Sequence, residues 1–224
     1  MILYSAIYDS FHPFNVLFPE AQTRVVVEQR DSLKAPGILV IWGGSDIHPQ
    51  LYNRPNQGSF VGNTLSTRDQ IESSLFANAV QNNVPIVGVC RGAQLGCALS
   101  GGILVQHVGG HFRDHMMTTS DNKILITPSV HHQMMYPWSV PNHKLLAWSI
   151  RPRSSFYEGL TADELNQWPR KEYKGLVESH QVIEPEVVWF ENTKCLAIQG
   201  HPEYLRATSP FNQYVYRLIR DFCL

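Results

Sequence analysis

The stretch Val84-Pro-Ile-Val-Gly-Val-Cys-Arg-Gly-Ala-Gln94 joins a short apolar run to a helical pattern. The apolar run at residues 85–89 predicts a buried parallel strand, and a helix is predicted from residue 91 to residue 99. Cys90 stands at the corner, and Gly88 and Gly92 leave room for crowded backbone there. This predicts a nucleophile elbow, in which the helix N-terminus favours a thiolate and leaves backbone N–H groups free to bind an oxyanion. The alternative is a buried structural cysteine.

A second buried-strand pattern begins at Cys195 and ends in Gly200-His-Pro-Glu203. A thiolate nucleophile needs a base within hydrogen-bond reach, and the base needs an orienting acceptor. His201 is the predicted base and Glu203 its predicted acceptor, across a proline that fixes the local backbone. Alone, a histidine at a strand end is more often an ordinary loop residue. Together with the elbow, it predicts a Cys-His-Glu triad.

Two of these stretches resemble a known family. Val87-Gly-Val-Cys-Arg-Gly-Ala-Gln94 and Ala197-Ile-Gln-Gly-His-Pro-Glu203 resemble the two signatures of class I glutamine amidotransferases, and more narrowly of the γ-glutamyl hydrolase branch of that superfamily. Three further stretches are similar to that branch: Trp42-Gly-Gly-Ser-Asp-Ile-His-Pro-Gln-Leu-Tyr52, Arg68-Asp-Gln-Ile-Glu72 and Ser129-Val-His-His-Gln133. The resemblance spans residues 38 to 204.

The resemblance implies roles for further residues. The backbone N–H groups of Gly44 and Arg91 would form the oxyanion hole, although Gly43-Gly44 also suits an ordinary tight turn. Residues expected to bind the substrate's glutamyl group are Gln94, His131, His132 and Gln133. No metal or organic cofactor is expected.

The resemblance leaves three functions open. The first is a stand-alone hydrolase that cleaves a small-molecule γ-glutamyl amide through a γ-glutamyl thioester. The second is a glutaminase subunit that takes glutamine and delivers ammonia to a separate synthetase partner. The third is a catalytically silent binding or regulatory homologue. The irregular, charged residues 152–174 depart most from the family pattern and are a candidate determinant of specificity.

Composition narrows the class of protein. The chain has 224 residues, 43% hydrophobic and 17% charged, which predicts one globular domain over residues 1–224. A net charge of −1 gives no reason to expect nucleic acid or a membrane as a partner. The four cysteines form no C-x-x-C pair, and the N-terminus has no basic region of a signal peptide, so a cytoplasmic protein is expected. A homo-oligomer stays open.

The predicted fold class is α/β: a mainly parallel, flavodoxin-like sheet with helices on both faces and a β-rich C-terminal half. Strands are predicted at residues 2–8, 24–28, 38–42, 103–108, 123–127, 145–150, 175–179 and 187–191, besides those at 85–89 and 195. Helices are predicted at 68–82, 91–99 and 209–222, with a capping box at Thr161 starting a short one. Residues 50–66 form a polar loop long enough for a lid. A metal site on a helix bearing His107, His111 and His115 is disfavoured, because Gly109-Gly110 would break that helix.

Overall fold

The computed structural model describes residues 1–28, 31–172 and 180–224. Its strands are β1 (Ile2–Ala6), β2 (Gln22–Val26), β3 (Gly37–Ile41), β4 (Ile86–Val89), β5 (Ile103–Val105), β6 (His107–Val108), β7 (His115–Thr119), β8 (Ile124–Thr127), β9 (Met134–Tyr136), β10 (His143–Ser149), β11 (Tyr157–Glu158), β12 (Arg170–Glu172), β13 (His180–Val182), β14 (Pro185–Phe190) and β15 (Cys195–Ile198). Its α-helices are α1 (Phe14–Leu17), α2 (Thr67–Gln81), α3 (Arg91–Leu99), α4 (Ala162–Gln167) and α5 (Pro210–Cys223). Short 3₁₀ helices cover Pro49–Tyr52 and Pro202–Tyr204.

Nine strands form one central sheet in the order β2-β1-β3-β4-β15-β14-β10-β7-β8. The strands from β2 to β15 in this order pair in parallel, and those from β15 to β8 pair antiparallel. The predicted α/β class with a largely parallel sheet is therefore confirmed. The carboxyl ends of β3, β4 and β15 lie side by side, and in open α/β sheets this edge is where ligands bind.

Both faces of the sheet are covered, because alternate residues of a strand point to opposite sides. Leu39 and Ile41 of β3 pack with α2 and α3 in one apolar cluster. Ile38 and Val40 of the same strand pack with α1 and α5 in the other. Burial on two sides explains why the central strands appear in the sequence as continuous apolar runs.

Several sequence predictions need correction. The spacing of Ile71, Leu75, Phe76 and Val80 predicts one apolar stripe on α2. Val80 is nevertheless 39% exposed, while Glu72 and Ala79 of that helix are fully buried. Glu72 can be buried on the inner face of α2 because an ion-pair network compensates its charge. The predicted single strand at 103–108 is two strands in different sheets, interrupted at Gln106. The predicted strand at 175–179 lies outside the described residues.

Other predictions hold. Of the two candidate caps of α2, Thr67 and Ser66, it is Ser66 that caps the helix, and Thr161 caps α4 as predicted, each through a complete capping box. The pattern of α5 predicts an inward face of Tyr214, Leu218, Ile219 and Phe222; the first three are buried and Phe222 is half-buried. Within the described ranges, no helix combines the length and apolarity needed to span a membrane.

Candidate active site

Cys90 occupies a strained turn between β4 and α3. Its backbone has φ 49° and ψ −105°, and its N–H donates to the carbonyl of Ile198, 2.8 Å away. Close packing depends on the absence of a side chain at Gly92, where a Cβ would lie 2.0 Å from the carbonyl oxygen of Ile41. At Gly88 it would lie 2.4 Å from the oxygen of Gly92. The small residues thus allow the sharp strand-to-helix turn that the sequence predicts.

His201 follows β15, the strand next to β4. Ile198 pairs with Val89 in register, so the two chains leave the same edge of the sheet and bring His201 towards Cys90. A Cβ on Gly43 would lie 2.9 Å from Cε1 of His201 and 3.4 Å from Cβ of Cys90. Gly43 therefore borders both residues, and a side chain at this position would crowd them.

The imidazole of His201 is held on two sides. Its Nδ1 lies 2.7 Å from Oε1 of Glu203, and its ring stacks on Tyr204 with centroids 4.5 Å apart. Burial lowers the pKa of His201, but interactions with the Cys90 thiol and the Glu203 carboxylate outweigh it and raise this pKa to about 10. The arrangement favours an imidazolium beside a sulfur atom, which is the pairing that activates a thiol.

A cleft opens over this pair. It has a volume of about 410 Å³ and is lined by Tyr8, Asp9, Ser10, Trp42, Gly43, Gly44, His201, Glu203 and Tyr204. Cys90 itself is 4% exposed and does not line the cleft, whereas Gly43 and His201 do.

One turn of α2 holds the glycine loop and the residue after Cys90. Arg68 donates to the backbone oxygens of Trp42, at 2.8 Å, and Gly43, at 3.0 Å. Asp69 accepts from the side chain of Arg91 at 2.5 Å, and Glu72 accepts from both Arg91 and Arg68. Arg91, Asp69 and Glu72 are at most 2% exposed. The sequence suggests the Arg68–Glu72 pair, but the buried role of the Arg91 side chain is missed.

The two residues predicted to supply the oxyanion hole differ in their relation to Cys90. Arg91 is the first residue of α3, where backbone N–H groups have no partner within the helix. Gly44 has φ +147°, and the Arg68 guanidinium packs against it so closely that a Cβ would lie 2.2 Å from Nη1. Gly43, one residue earlier, is the glycine in contact with both Cys90 and His201.

The residues predicted to bind the glutamyl group have different surroundings. Gln94 donates to the Gln133 backbone at 2.8 Å, and His131 places Nδ1 2.9 Å from the same oxygen. The Gln133 side chain binds the backbone of Ile47, 2.8 Å away, and the Ser59 hydroxyl, 2.7 Å away. Burial lowers the pKa of His131 well below its usual value, and nearby histidines lower it further. Burial therefore disfavours the protonated form of His131.

His132 lies apart from this buried set. Its Nε2 is 2.7 Å from Asp46, its Nδ1 is 3.0 Å from His107, and its ring stacks on Phe60. Asp46 also accepts from the Phe60 N–H at 2.6 Å. Together with Gln106, whose amide binds the backbone of Pro55 and Gln57, these contacts fasten the predicted lid loop at several points.

Comparison with known proteins identifies the family of this chain. Residues 6–155 match the family model Peptidase C26. The chain belongs to the peptidase C26 family. This C26 protein is 29% identical over 187 residues to the glutamine amidotransferase-like protein YvdE of Lactococcus lactis subsp. lactis, covering 82% of this chain and 72% of YvdE. With other relatives the alignment spans between 24% and 53% of the relative's length.

Solved structures share the fold of this C26 protein. PurLQS from Thermotoga maritima aligns with a TM-score of 0.61 at 13% identity, covering 99% of this chain and 98% of that one. A GMP synthase component from Thermoplasma acidophilum aligns with a TM-score of 0.60 at 16% identity, covering 100% and 94%. These likenesses place the chain in the glutamine amidotransferase class I fold.

Sequence reasoning missed a buried polar cluster in this C26 protein, formed by His111, His115, Glu184 and Glu186. A signal was present in Glu184-Pro-Glu186, because residues two apart in a strand share a face. Two carboxylates on one face of a strand inside a fold require buried partners.

Proposed function

We propose that this protein is a cysteine hydrolase that cleaves the C–N bond of a γ-glutamyl amide. The observation that carries the proposal is the His201–Glu203 hydrogen bond beside Cys90 at the strained turn. Membership of the C26 family and the likeness to YvdE support a hydrolase or amidotransferase of this general kind.

In the proposed mechanism, the proton of the Cys90 thiol moves to His201 before the attack, which forms the thiolate–imidazolium pair, and Cys90 Sγ then attacks the γ-carbonyl carbon. The carbonyl oxygen becomes an oxyanion, which backbone N–H groups of the glycine loop and of Arg91 stabilise. His201 then protonates the leaving amine as the C–N bond breaks, which leaves a γ-glutamyl thioester on Cys90. Water, deprotonated by His201, hydrolyses the thioester and releases glutamate and the free thiol.

Glu203 is proposed to act on His201 rather than on the substrate. Its carboxylate fixes the ring through Nδ1 and stabilises the imidazolium. Gln94 and His131 to Gln133 stay proposed as the wall around the glutamyl group, with Gln94 nearest to Cys90 along the chain.

The test measures glutamate release from glutamine and from a panel of γ-glutamyl amines. Cys90→Ala should reduce turnover by at least about 10³-fold. Cys97→Ala is the matched control, since this thiol lies on the same helix and burial raises its pKa. Equal turnover by wild type and Cys90→Ala would refute the mechanism.

Labelling separates catalysis from mere binding. An electrophilic glutamine analogue should add once per chain to wild type and Cys97→Ala, and not to Cys90→Ala. The remaining thiols should stay unlabelled, because burial raises the pKa of Cys97, Cys195 and Cys223, that of Cys223 to about 12. Failure of Cys90 to label would favour a catalytically silent homologue.

The second candidate is a glutaminase that works within a synthetase complex, which the fold shared with the GMP synthase component favours. It predicts a labelled Cys90 but slow release of glutamate from every compound until a synthetase partner is added. Fast cleavage of a γ-glutamyl amine by the protein alone would exclude it.

A further inference from the structure

A buried group of ionisable side chains lies next to the candidate active site. His111 precedes β7, His115 begins it, and His131 lies between β8 and β9. Glu184 immediately precedes β14, and Glu186 is the second residue of that strand. All five residues are at most 5% exposed. Of these five, only His131 enters the proposed function, as a contact for the glutamyl group. The other four have no part in the proposed cleavage of the amide, yet burying such groups is costly unless each has a partner.

Each histidine of this group has one ring nitrogen near an oxygen atom. Nε2 of His111 lies 3.2 Å from Glu184, and Nε2 of His115 lies 2.6 Å from Oε1 of Glu186. Nδ1 of His131 lies 2.9 Å from the carbonyl oxygen of Gln133. The carbonyl oxygen of Gln133 only accepts, so Nδ1 of His131 carries a proton. Nε2 of His111 makes no hydrogen bond within the described residues, but the Glu184 carboxylate, its charged neighbour, favours the proton on that nitrogen.

Three further atoms of this group lack hydrogen-bond partners. Nδ1 of His111, Nε2 of His131 and Oε2 of Glu186 are buried, and none has a hydrogen-bond partner within the described ranges. With the protons on Nε2 of His111 and Nδ1 of His131, the other ring nitrogen of each histidine keeps a free lone pair. One ligand atom from each of the three residues lies within 4.8 Å of those of the other two. Three convergent acceptors without a donor are unfavourable unless a cation lies among them.

We propose that His111, His131 and Glu186 bind a divalent metal ion, and that Zn²⁺ fits best. Two imidazole nitrogens and one carboxylate oxygen form a donor set typical of zinc. Atoms around a tetrahedral zinc at about 2.0–2.1 Å lie about 3.4 Å apart, which side-chain rotation reaches from the observed spread. Glu184 behind His111 provides the carboxylate–histidine contact that commonly orients a metal-binding ring.

This site differs from the one that the sequence disfavours. That reasoning tested His107, His111 and His115 on a helix, whereas His107 lies in the separate contact with His132 and Asp46. A metal ion would also occupy Nε2 of His131 and prevent it from contacting the glutamyl group. The metal site therefore replaces the substrate contact proposed for His131 and leaves the proposed roles of Cys90, His201 and Glu203 unchanged. Zinc binding is measured without substrate, so its failure is distinguishable from failure of the proposed hydrolysis.

The experiment titrates chelator-stripped protein with Zn²⁺ against a competing chromophoric chelator. We expect one equivalent per chain, and Co²⁺ in its place should give the absorption bands of a tetrahedral site. Glu184→Gln removes only the contact behind His111 and should weaken zinc binding about 10–100-fold. His111→Gln should abolish the high-affinity equivalent. Wild-type protein that takes up no equivalent of Zn²⁺ would overturn the proposal.

His107→Gln is the matched control, because His107, His132 and Asp46 form a rival, more exposed set of ligands. This variant should still bind one equivalent of zinc, and X-ray absorption should show two imidazoles on it. Loss of zinc binding in His107→Gln would assign the ion to the surface set and refute the buried site. Since this control keeps the buried cluster intact, the test holds even if His111→Gln fails to fold.

Discussion

The change Glu72→Gln tests the ion-pair network that joins α2 to the candidate site. The Glu72 carboxylate is fully buried and accepts from both Arg68, at 2.9 Å, and Arg91. Removing one partner of a buried ion pair costs about 3–5 kcal/mol, because the other charge stays buried. The amide oxygen of Gln keeps one hydrogen bond and Asp69 keeps its contact with Arg91, so we expect a loss of about 3 kcal/mol.

Urea unfolding followed by circular dichroism measures this loss. With a slope of about 2–3 kcal/mol per molar urea, the midpoint should fall by about 1–1.5 M. Glu191→Gln, which neutralises an exposed carboxylate, should shift the free energy of unfolding by no more than about 0.5 kcal/mol. The double variant Glu72→Gln/Arg91→Met should lose less than the sum of the single changes, with a coupling of about 0.5–3 kcal/mol. Strict additivity would show that the two side chains do not interact, and the reasoning would be wrong.

Three further changes test the turn at Cys90, the imidazole of His201 and the N-terminal cap of α2. Gly92→Ala places a Cβ 2.0 Å from a carbonyl oxygen of β3 and should destabilise the protein by about 3 kcal/mol in urea unfolding, whereas Gly62→Ala meets no atom within 4 Å and should be neutral. The pKa of His201, raised to about 10 partly by Cys90, should fall in Cys90→Ala when its ring is titrated by NMR; an unchanged value would contradict the pairing. In the wild type, the stability from this raised pKa is fully present below about pH 6.5 and is lost as the pH rises through about 10. Ser66→Ala removes the side-chain acceptor at the start of α2 and should lower stability by about 1 kcal/mol, so no change in thermal unfolding would count against the cap.

The parallel half of the sheet could be predicted from the sequence because its signal is local. Strands buried on both faces give continuous apolar runs, and β3 and β4 appear as such runs. The antiparallel half depends on which distant segments pair, and this does not show in any one window. The interruption at Gln106 illustrates the limit, since its buried amide binds a loop about fifty residues earlier.

The candidate site likewise has one part that the sequence predicts and one part that it does not. Cys90 and His201 each follow an apolar run, and the rule that parallel strands end at one edge predicts that they meet. The burial of Arg91 could not be predicted this way, because a charged residue at the start of a helix usually faces water. Its position depends on Asp69 and Glu72, and an (i, i+4) reading of α2 assigns Glu72 to a local pair with Arg68.

The first turn of α2 therefore links two parts of the site that come from different strands. Arg68 binds the backbone oxygens after β3, while Asp69 and Glu72 hold the side chain of the residue that follows Cys90. A shift of this turn would move both proposed sources of oxyanion N–H groups at once. Asp69 also completes the capping box with Ser66. The cap, the ion pairs and the contacts to the glycine loop are therefore linked through the same turn of helix. The effects of Ser66→Ala and Glu72→Gln on stability should consequently be coupled, although the two side chains make no direct contact.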